Sequence, residues 1–297
     1  MGLIAAGREP LLRLSVACAR SLRARPAKPP DPSDLCLAAA GLLAAEETRA
    51  LRRALDEPQP IRPGSVFVWA ACRYALQTDN MAWAGMNIER LESALGGSDA
   101  DAPFMSRVLR WRALDSLAEL CRAMGRARAA ADWRARANAV IRESYRAKWD
   151  ARAGHFDAPL RPEGNLAAAA WGFADEDASA RILRTLDRLG WCTPWGPRSS
   201  RRTLLGGARP ADRVELWVCS LELQALLRLR WRTQLRKRVE LLGALVDAAG
   251  HVPASCGADG RNASPAPSIR AAGMLLEACG VLLAGLLGSL DKTPFHT

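Results

Sequence analysis

The sequence is poor in the residues that most often carry enzyme chemistry. Its 297 residues include three histidines and two tyrosines. No ligand spacing links the three histidines, so a metal site is not expected. The eight cysteines (Cys18, Cys36, Cys72, Cys121, Cys192, Cys219, Cys256 and Cys279) include no CxxC or CxC pair, which argues against a zinc ribbon. Most lie in apolar helical runs, where cysteine behaves as a small core residue, and a reduced, cytoplasmic setting follows. There is no Gly-rich phosphate loop, no nucleophile elbow and no dinucleotide fingerprint, so no cofactor is implied. Long uninterrupted apolar runs are also missing. Arg8 and Glu9 interrupt the first apolar stretch, against a signal peptide. Glu277 interrupts the stretch from Ala271 to Leu290, which then reads as a buried core helix and not a membrane span.

What is abundant is arginine. The net charge of +11 comes almost wholly from it, yet the arginines are spread along the chain. Such a balance permits an anionic partner. Without clusters or a nucleic-acid motif it reads as solvated helix faces, and neither nucleic acid nor membrane is expected as a partner. Apolar residues at 49% and charged residues at 25% are the balance of a globular chain.

Helical periodicity dominates. In "VLRWRALDSLAELCRAMG", Val108, Trp111, Leu114, Leu117, Cys121 and Met124 form one face, and Gly125 is a natural stop. "DWRARANAVIRESYRAKWD" repeats the design. "DEDASARILRTLDRLG" opens with acids, as the helix dipole favours, and ends at Gly190. Further helices are expected over about Glu9 to Ala24, Pro32 to Leu55, Gly64 to Gln77, Met81 to Leu95, Asp212 to Arg230, Thr233 to Gly250 and Pro267 to Leu287. No strand is convincing. Pro/Gly-rich loops of alternating length separate the helices, among them "GHFDAPLRPEGN" and "WCTPWGPRSSRRTLLGGARPAD". About a dozen helices in pairs predict an all-α fold, an (α/α)6 toroid of helical hairpins. A superhelical repeat scaffold is the competing architecture, weakened by the lack of a fixed repeat period.

Several motifs, in order along the chain, carry a resemblance. "AAGREPLLRL" is similar to a signature in which Gly-Arg-Asp precedes an apolar helix. "VFVWAACRYALQTDN" resembles a helix ending in a Thr-Gly-Asp turn, and Asp79 would close that turn here. "AKWDARAGHFDAPLRPEGN" resembles Trp-Asp, Gly-x-Phe/Tyr and Arg-Pro-Asn, and "CTPWGPRS" resembles Thr-Pro-Tyr-Gly-Leu-Arg. Together they resemble the glucosidase domain of glycogen-debranching enzymes, in the six-hairpin glycosidase group, across nearly all of residues 1–297 as one domain. The resemblance implies an inverting α-glucosidase that takes an oligosaccharide or α-glucan.

It also implies a site. The aromatic loop "GWCTPWGPRSS" would lie at the mouth of the toroid, with Trp191 and Trp195 as sugar platforms, since aromatic faces suit the C–H faces of sugars. The alternative is that both rings cap the core. Arg198, Trp217 and Asn165 are the other expected sugar-binding residues. Inversion needs an acid and a base carboxylate. The family's acid position falls in "PQPIRPGS" and its base position matches Ala254; neither carries a carboxylate. Glu163, in "RPEGN", and Glu215, in "RVELW", are the candidate catalytic substitutes, with the loop residues Asp157, Asp259, His155 and His251 near the same mouth. The expectation is a carbohydrate-active protein with impaired catalysis. The alternatives are a non-catalytic carbohydrate- or protein-binding toroid, or a scaffold.

Overall fold

The computed structural model describes residues 2–24, 31–57, 64–96, 102–157, 159–202 and 208–288. Thirteen helices and six short strands occur among them, an all-α class. Six helices form an inner ring: α3 (Ala39–Ala44), α5 (Gly64–Gln77), α7 (Phe104–Ala123), α9 (Pro162–Trp171), α11 (Leu216–Arg228) and α13 (Ile269–Gly288). Each packs on the next, and α13 returns to α3. Outside them stand α6 (Met81–Ala94) against α5, α8 (Ala127–Lys148) against α7, α10 (Glu176–Arg188) against α9 and α12 (Arg232–Ala249) against α11. The short α2 (Pro32–Leu37) leads into α3, and α4 (Thr48–Asp56) packs on both. The sixth hairpin joins the two ends of the chain, α13 with α1 (Gly2–Arg23). This is the (α/α)6 toroid.

The sorting into two rings follows from burial. Inner helices are buried over most of their surface: all nine residues from Val218 to Leu226 of α11 are buried, the polar Ser220, Glu222 and Gln224 among them. Outer helices bury one stripe. In α10, Ile182, Leu183 and Leu186 face inward, the Asp175 side chain caps the Ala178 N–H, and Glu176 and Asp177 open the helix. On α8 the fully buried positions are Ala130, Ala137 and Ser144, small residues seven apart that let it lie close on α7.

Two expectations about elements need correction. The helix expected over Pro32 to Leu55 is three helices, broken at Ala38 and again at Glu46, whose φ is +62°. The apolar period runs through both breaks, so periodicity does not reveal them. Strands do form, in the aromatic loop and its neighbours. β3 (Cys192–Thr193), β4 (Gly196–Arg202), β5 (Ala208–Glu215) and β6 (Ser255–Gly257) make an antiparallel sheet in that order, and β1 (Trp149–Asp150) pairs with β2 (His155–Phe156). Asp212 to Glu215, expected as the start of a helix, therefore end a strand. Asp212 and Arg213 are exposed, Val214 is buried and Glu215 is half-buried.

The ring closes where two backbones touch. A β-carbon on Gly41 of α3 would sit 2.2 Å from the Gly273 carbonyl oxygen of α13, and one on Gly273 would sit 2.4 Å from the Ala38 β-carbon. Glycine at both positions is what lets the first and last inner helices meet. The centre of the ring is crossed by side chains. Trp69 of α5 meets Trp171 of α9, with ring centroids 5.7 Å apart. Arg73 of α5 pairs with Glu277 of α13 at 3.1 Å. Neither pair joins adjacent members of the ring. Burial raises the Glu277 carboxyl above the ordinary glutamate range, opposed by Arg73 and Arg112.

Two predictions follow from this packing. Gly273→Ala is expected to cost about 1–3 kcal/mol through overpacking, while Gly243→Ala on α12, where a β-carbon meets nothing within 4 Å, gains about 0.5–1 kcal/mol. Urea midpoints check both, and an unchanged midpoint for Gly273→Ala would remove the seam. For Glu277, the raised value means the folded state holds its proton to higher pH than the unfolded chain does. Stability from this group is therefore lost as pH rises from about 4.3 towards the raised value. Glu277→Gln, which mimics the protonated acid, is expected to gain on the wild type progressively over that window in melts taken at stepped pH.

Candidate functional site

Each inner helix from α5 to α11 is followed by an outer helix that runs back, so the inner helices are parallel and their N-terminal ends share one face. The loops from α10 to α11 and from α12 to α13 both arrive at this face and carry the four-stranded sheet. The mouth is thus built from helix starts and one small sheet.

Glu215 ends β5 and stands at the N-cap of α11. Its strand partner is Ser255, next to Ala254. The Ala254 carbonyl in turn accepts the Leu216 N–H at 3.1 Å. Glu215 therefore lies beside the position where the resemblance places the family's base. Trp217, half-buried two residues on, donates its indole N–H to Glu215 Oε2 at 2.5 Å. The Arg270 guanidinium, at the start of α13, stands 5.9 Å from the Trp217 ring and pairs with Asp34 of α2. The starts of two inner-ring helices, α11 and α13, thus meet α2 in this one array.

Glu163 is the second residue of α9, behind Pro162, whose missing N–H suits the first turn. It lines a cleft of about 180 Å³ with Phe104 and Met105 of α7 and with Asp157 and Arg161. Asp157 pairs with Lys148 at 3.8 Å. Glu163 and Glu215 thus start neighbouring inner helices, at the same end of the ring. The stretch 58–63, which holds the family's acid position, lies outside the described residues.

The expected sugar contacts divide. Trp195 is half-buried and its ring packs on Gly260. A β-carbon there would fall 2.2 Å from the indole, and Gly260 also has φ +80°. Trp191 is 4% exposed and belongs to the core, so it caps the core and offers no face to a ligand. Asn165 is wholly buried. Its Oδ1 accepts the Phe156 N–H at 2.8 Å, and its Nδ2 donates to the Phe156 and Arg161 carbonyls, both at 2.9 Å. These bonds use both amide hydrogens, so Asn165 ties β2 to α9 and has no donor left for a sugar. Arg198 pairs at 3.1 Å with Asp212, whose side chain is 96% exposed. Asp259 closes its own turn by accepting the Arg261 N–H at 3.0 Å. His155 and His251 contact the Phe156 and Ser264 carbonyls. Asp79, with φ +52°, closes the turn between α5 and α6. All eight thiols are free; burial pushes that of Cys279 up to about 12 and that of Cys192 likewise to about 12. Among the described residues no group of three or more His, Cys, Asp or Glu could hold a metal, and no helix is long and apolar enough to cross a membrane.

Sequence reasoning missed Arg270, Asp34 and the buried pair of Glu222 and Arg238 behind the aromatic loop. Glu222 had a signal: it is a lone acid in the apolar run "LWVCSLELQALL".

No family model matches the sequence, and no curated protein matches it. Among solved structures, the chain is similar to a rhamnosidase from Klebsiella oxytoca with rhamnose bound, with a TM-score of 0.65 at 14% identity. The match covers 93% of this chain but only 64% of the rhamnosidase's length. The likeness is one of fold. It does not single out the debranching type.

Because the Asn165 bonds are structural, Asn165→Ala is expected to lower stability by about 2–4 kcal/mol, through the lost bonds and the Phe156 backbone groups left unpaired. Denaturant unfolding measures this; a variant as stable as wild type would return Asn165 to the candidate ligands.

Proposed function

We propose that the protein binds an oligosaccharide at the mouth of the toroid and hydrolyses it weakly. The observation that carries this is the placement of two carboxylates, Glu163 and Glu215, at the starts of neighbouring inner helices, the second of them hydrogen-bonded to the half-buried Trp217. The fold shared with a rhamnose-bound rhamnosidase and the debranching-type motifs support the same reading. The motifs favour an α-glucan as the sugar polymer.

The chemistry would be inversion. One carboxylic acid protonates the leaving oxygen while the other carboxylate draws a proton from water on the opposite side of the ring. Glu215 suits the base role: the indole N–H holds one of its oxygens and leaves the other for water. Glu163, beside the cleft, suits the acid role. Activity is weak in this proposal because neither carboxylate stands at the position that the resemblance assigns to it. The second reading, sugar binding without catalysis, is favoured by Ala254 standing where the family has its base.

Calorimetry and hydrolysis assays with linear and α-1,6-branched malto-oligosaccharides and with α-L-rhamnosides test this. Trp195→Ala is expected to weaken binding by about 1–3 kcal/mol, the scale of a lost stacking surface. Glu163→Gln and Glu215→Gln are each expected to lower the slow hydrolysis by about 10²–10⁴. Absence of binding to every sugar would overturn the proposal. Hydrolysis that survives both glutamate variants would remove the catalytic pair.

A further inference from the structure

The turn that carries Trp195 is held from behind by a residue of the outer ring. Thr193, Pro194, Trp195 and Gly196 link β3 to β4. Pro194 has no N–H, and the carbonyls of Thr193 and Pro194 point away from the sheet ladder. Arg238 of α12 reaches both with Nη1, lying 2.7 Å from the Thr193 oxygen and bonded also to the Pro194 oxygen. The other side of the same guanidinium faces Glu222 of α11. Nη2 lies 2.7 Å from Oε1, and Nε lies 2.7 Å from Oε2. Both side chains are nearly buried, with 12% and 5% of their area exposed.

One planar group therefore joins an outer helix, an inner helix and the turn. Lysine could not do this, because a single ammonium cannot span a carboxylate and two carbonyls in fixed directions. The rest of the turn is equally constrained. The Thr193 hydroxyl oxygen lies 3.2 Å from both the Trp195 and Gly196 N–H groups. The Cys219 sulfur lies 3.7 Å from the Trp195 carbonyl oxygen and 3.5 Å from that of Glu215, which share its one hydrogen. Gly196 leaves no room for a β-carbon against the Cys219 sulfur, 2.3 Å away. The Trp195 ring rests on Gly260. With its N–H, its carbonyl and its ring all engaged, Trp195 has one pose. The contact furthest from the mouth is Arg238.

We propose that Arg238 is a positioning residue: it fixes the pose of Trp195 from the outer ring and so sets how tightly the mouth holds a sugar. This rests on the sugar-binding reading for its consequence, but not for its geometry. The effect would be one of pre-organisation, since a wall already in its bound pose loses no freedom when a ligand arrives. Loss of the fork would therefore weaken binding without touching any group that contacts the ligand.

Arg238→Lys is the discriminating variant, because it keeps a cation beside the buried Glu222 while giving up the double carbonyl contact. Glu222→Gln is its counterpart, keeping Arg238 on the turn while removing the charge pair. Hydrogen exchange on residues 191–200 reads the pose directly, and calorimetry with a malto-oligosaccharide reads the consequence. Arg238→Lys is expected to speed exchange at Trp195 and Gly196 by about tenfold or more and to weaken sugar binding about tenfold. Glu222→Gln is expected to leave both closer to wild type. Wild-type exchange and wild-type affinity in a folded Arg238→Lys protein would overturn the proposal. If Arg238→Lys does not fold, Glu222→Gln decides: exchange at Trp195 as fast as in a Trp195→Ala control would overturn it, because Arg238 alone would then not hold the turn. If the wild type binds no sugar at all, the function reading fails, while the exchange result still decides the role of Arg238.

Discussion

Everything at the mouth depends on one backbone contact, where Gly41, Gly273 and Ala38 bring the first and last inner helices together. A toroid is a ring only if its ends meet. Five of the six inner-ring junctions are reached by continuing along the chain, but this one joins segments more than 200 residues apart. A side chain at either glycine would collide with backbone, which cannot step aside as a flexible side chain does. Separating α3 from α13 would also separate Asp34 from Arg270, and with it one wall of the array around Trp217.

Closure in turn decides which face of the ring gathers the helix starts. The inner helices run parallel, so their unsatisfied N–H groups and positive dipole ends gather on one face. Loops from outer to inner helices arrive there, and they are the longer ones. Two of them pair as strands, which removes most of the freedom that their length would otherwise allow. The result is a wall with fixed side chains, in which Trp195 and Glu215 are placed by strand register and helix start together.

Charges inside the ring follow a different rule from those on its surface. Most arginines lie on outer faces, where a charged pair contributes little. Glu222 with Arg238 and Glu277 with Arg73 sit where a bare charge would cost several kcal/mol, so each is retained only with its partner in place. One pair spans inner and outer rings behind the aromatic loop, and the other spans the ring itself. Both fix how elements sit relative to one another, more than how much stability they add.

How much of this was legible beforehand varies with the range of the interaction. Helix starts and stops are local. The sequence alone was enough to place α5, α6, α10 and α12 to within a residue or two, because caps, glycine stops and an apolar period act within one or two turns. The all-α hairpin architecture also followed, from the pairing of helices by loops of alternating length. Glu163 and Glu215 could be picked out because each adjoins a loop and opens a helix. What the sequence could not determine depends on partners far along the chain. The breaks at Ala38 and Glu46 occur inside an unbroken apolar rhythm. The strands formed where pairing across three segments outweighed weak local preference. Trp191 and Trp195, four residues apart in one loop, parted because only Gly260 and the core decide which ring is covered. Asn165 looked like a ligand by its motif, yet its amide is bonded to the backbone of Phe156 and Arg161. Tertiary structure decided these cases because burial and hydrogen-bond partners, unlike helical period, exist only once the ring has closed.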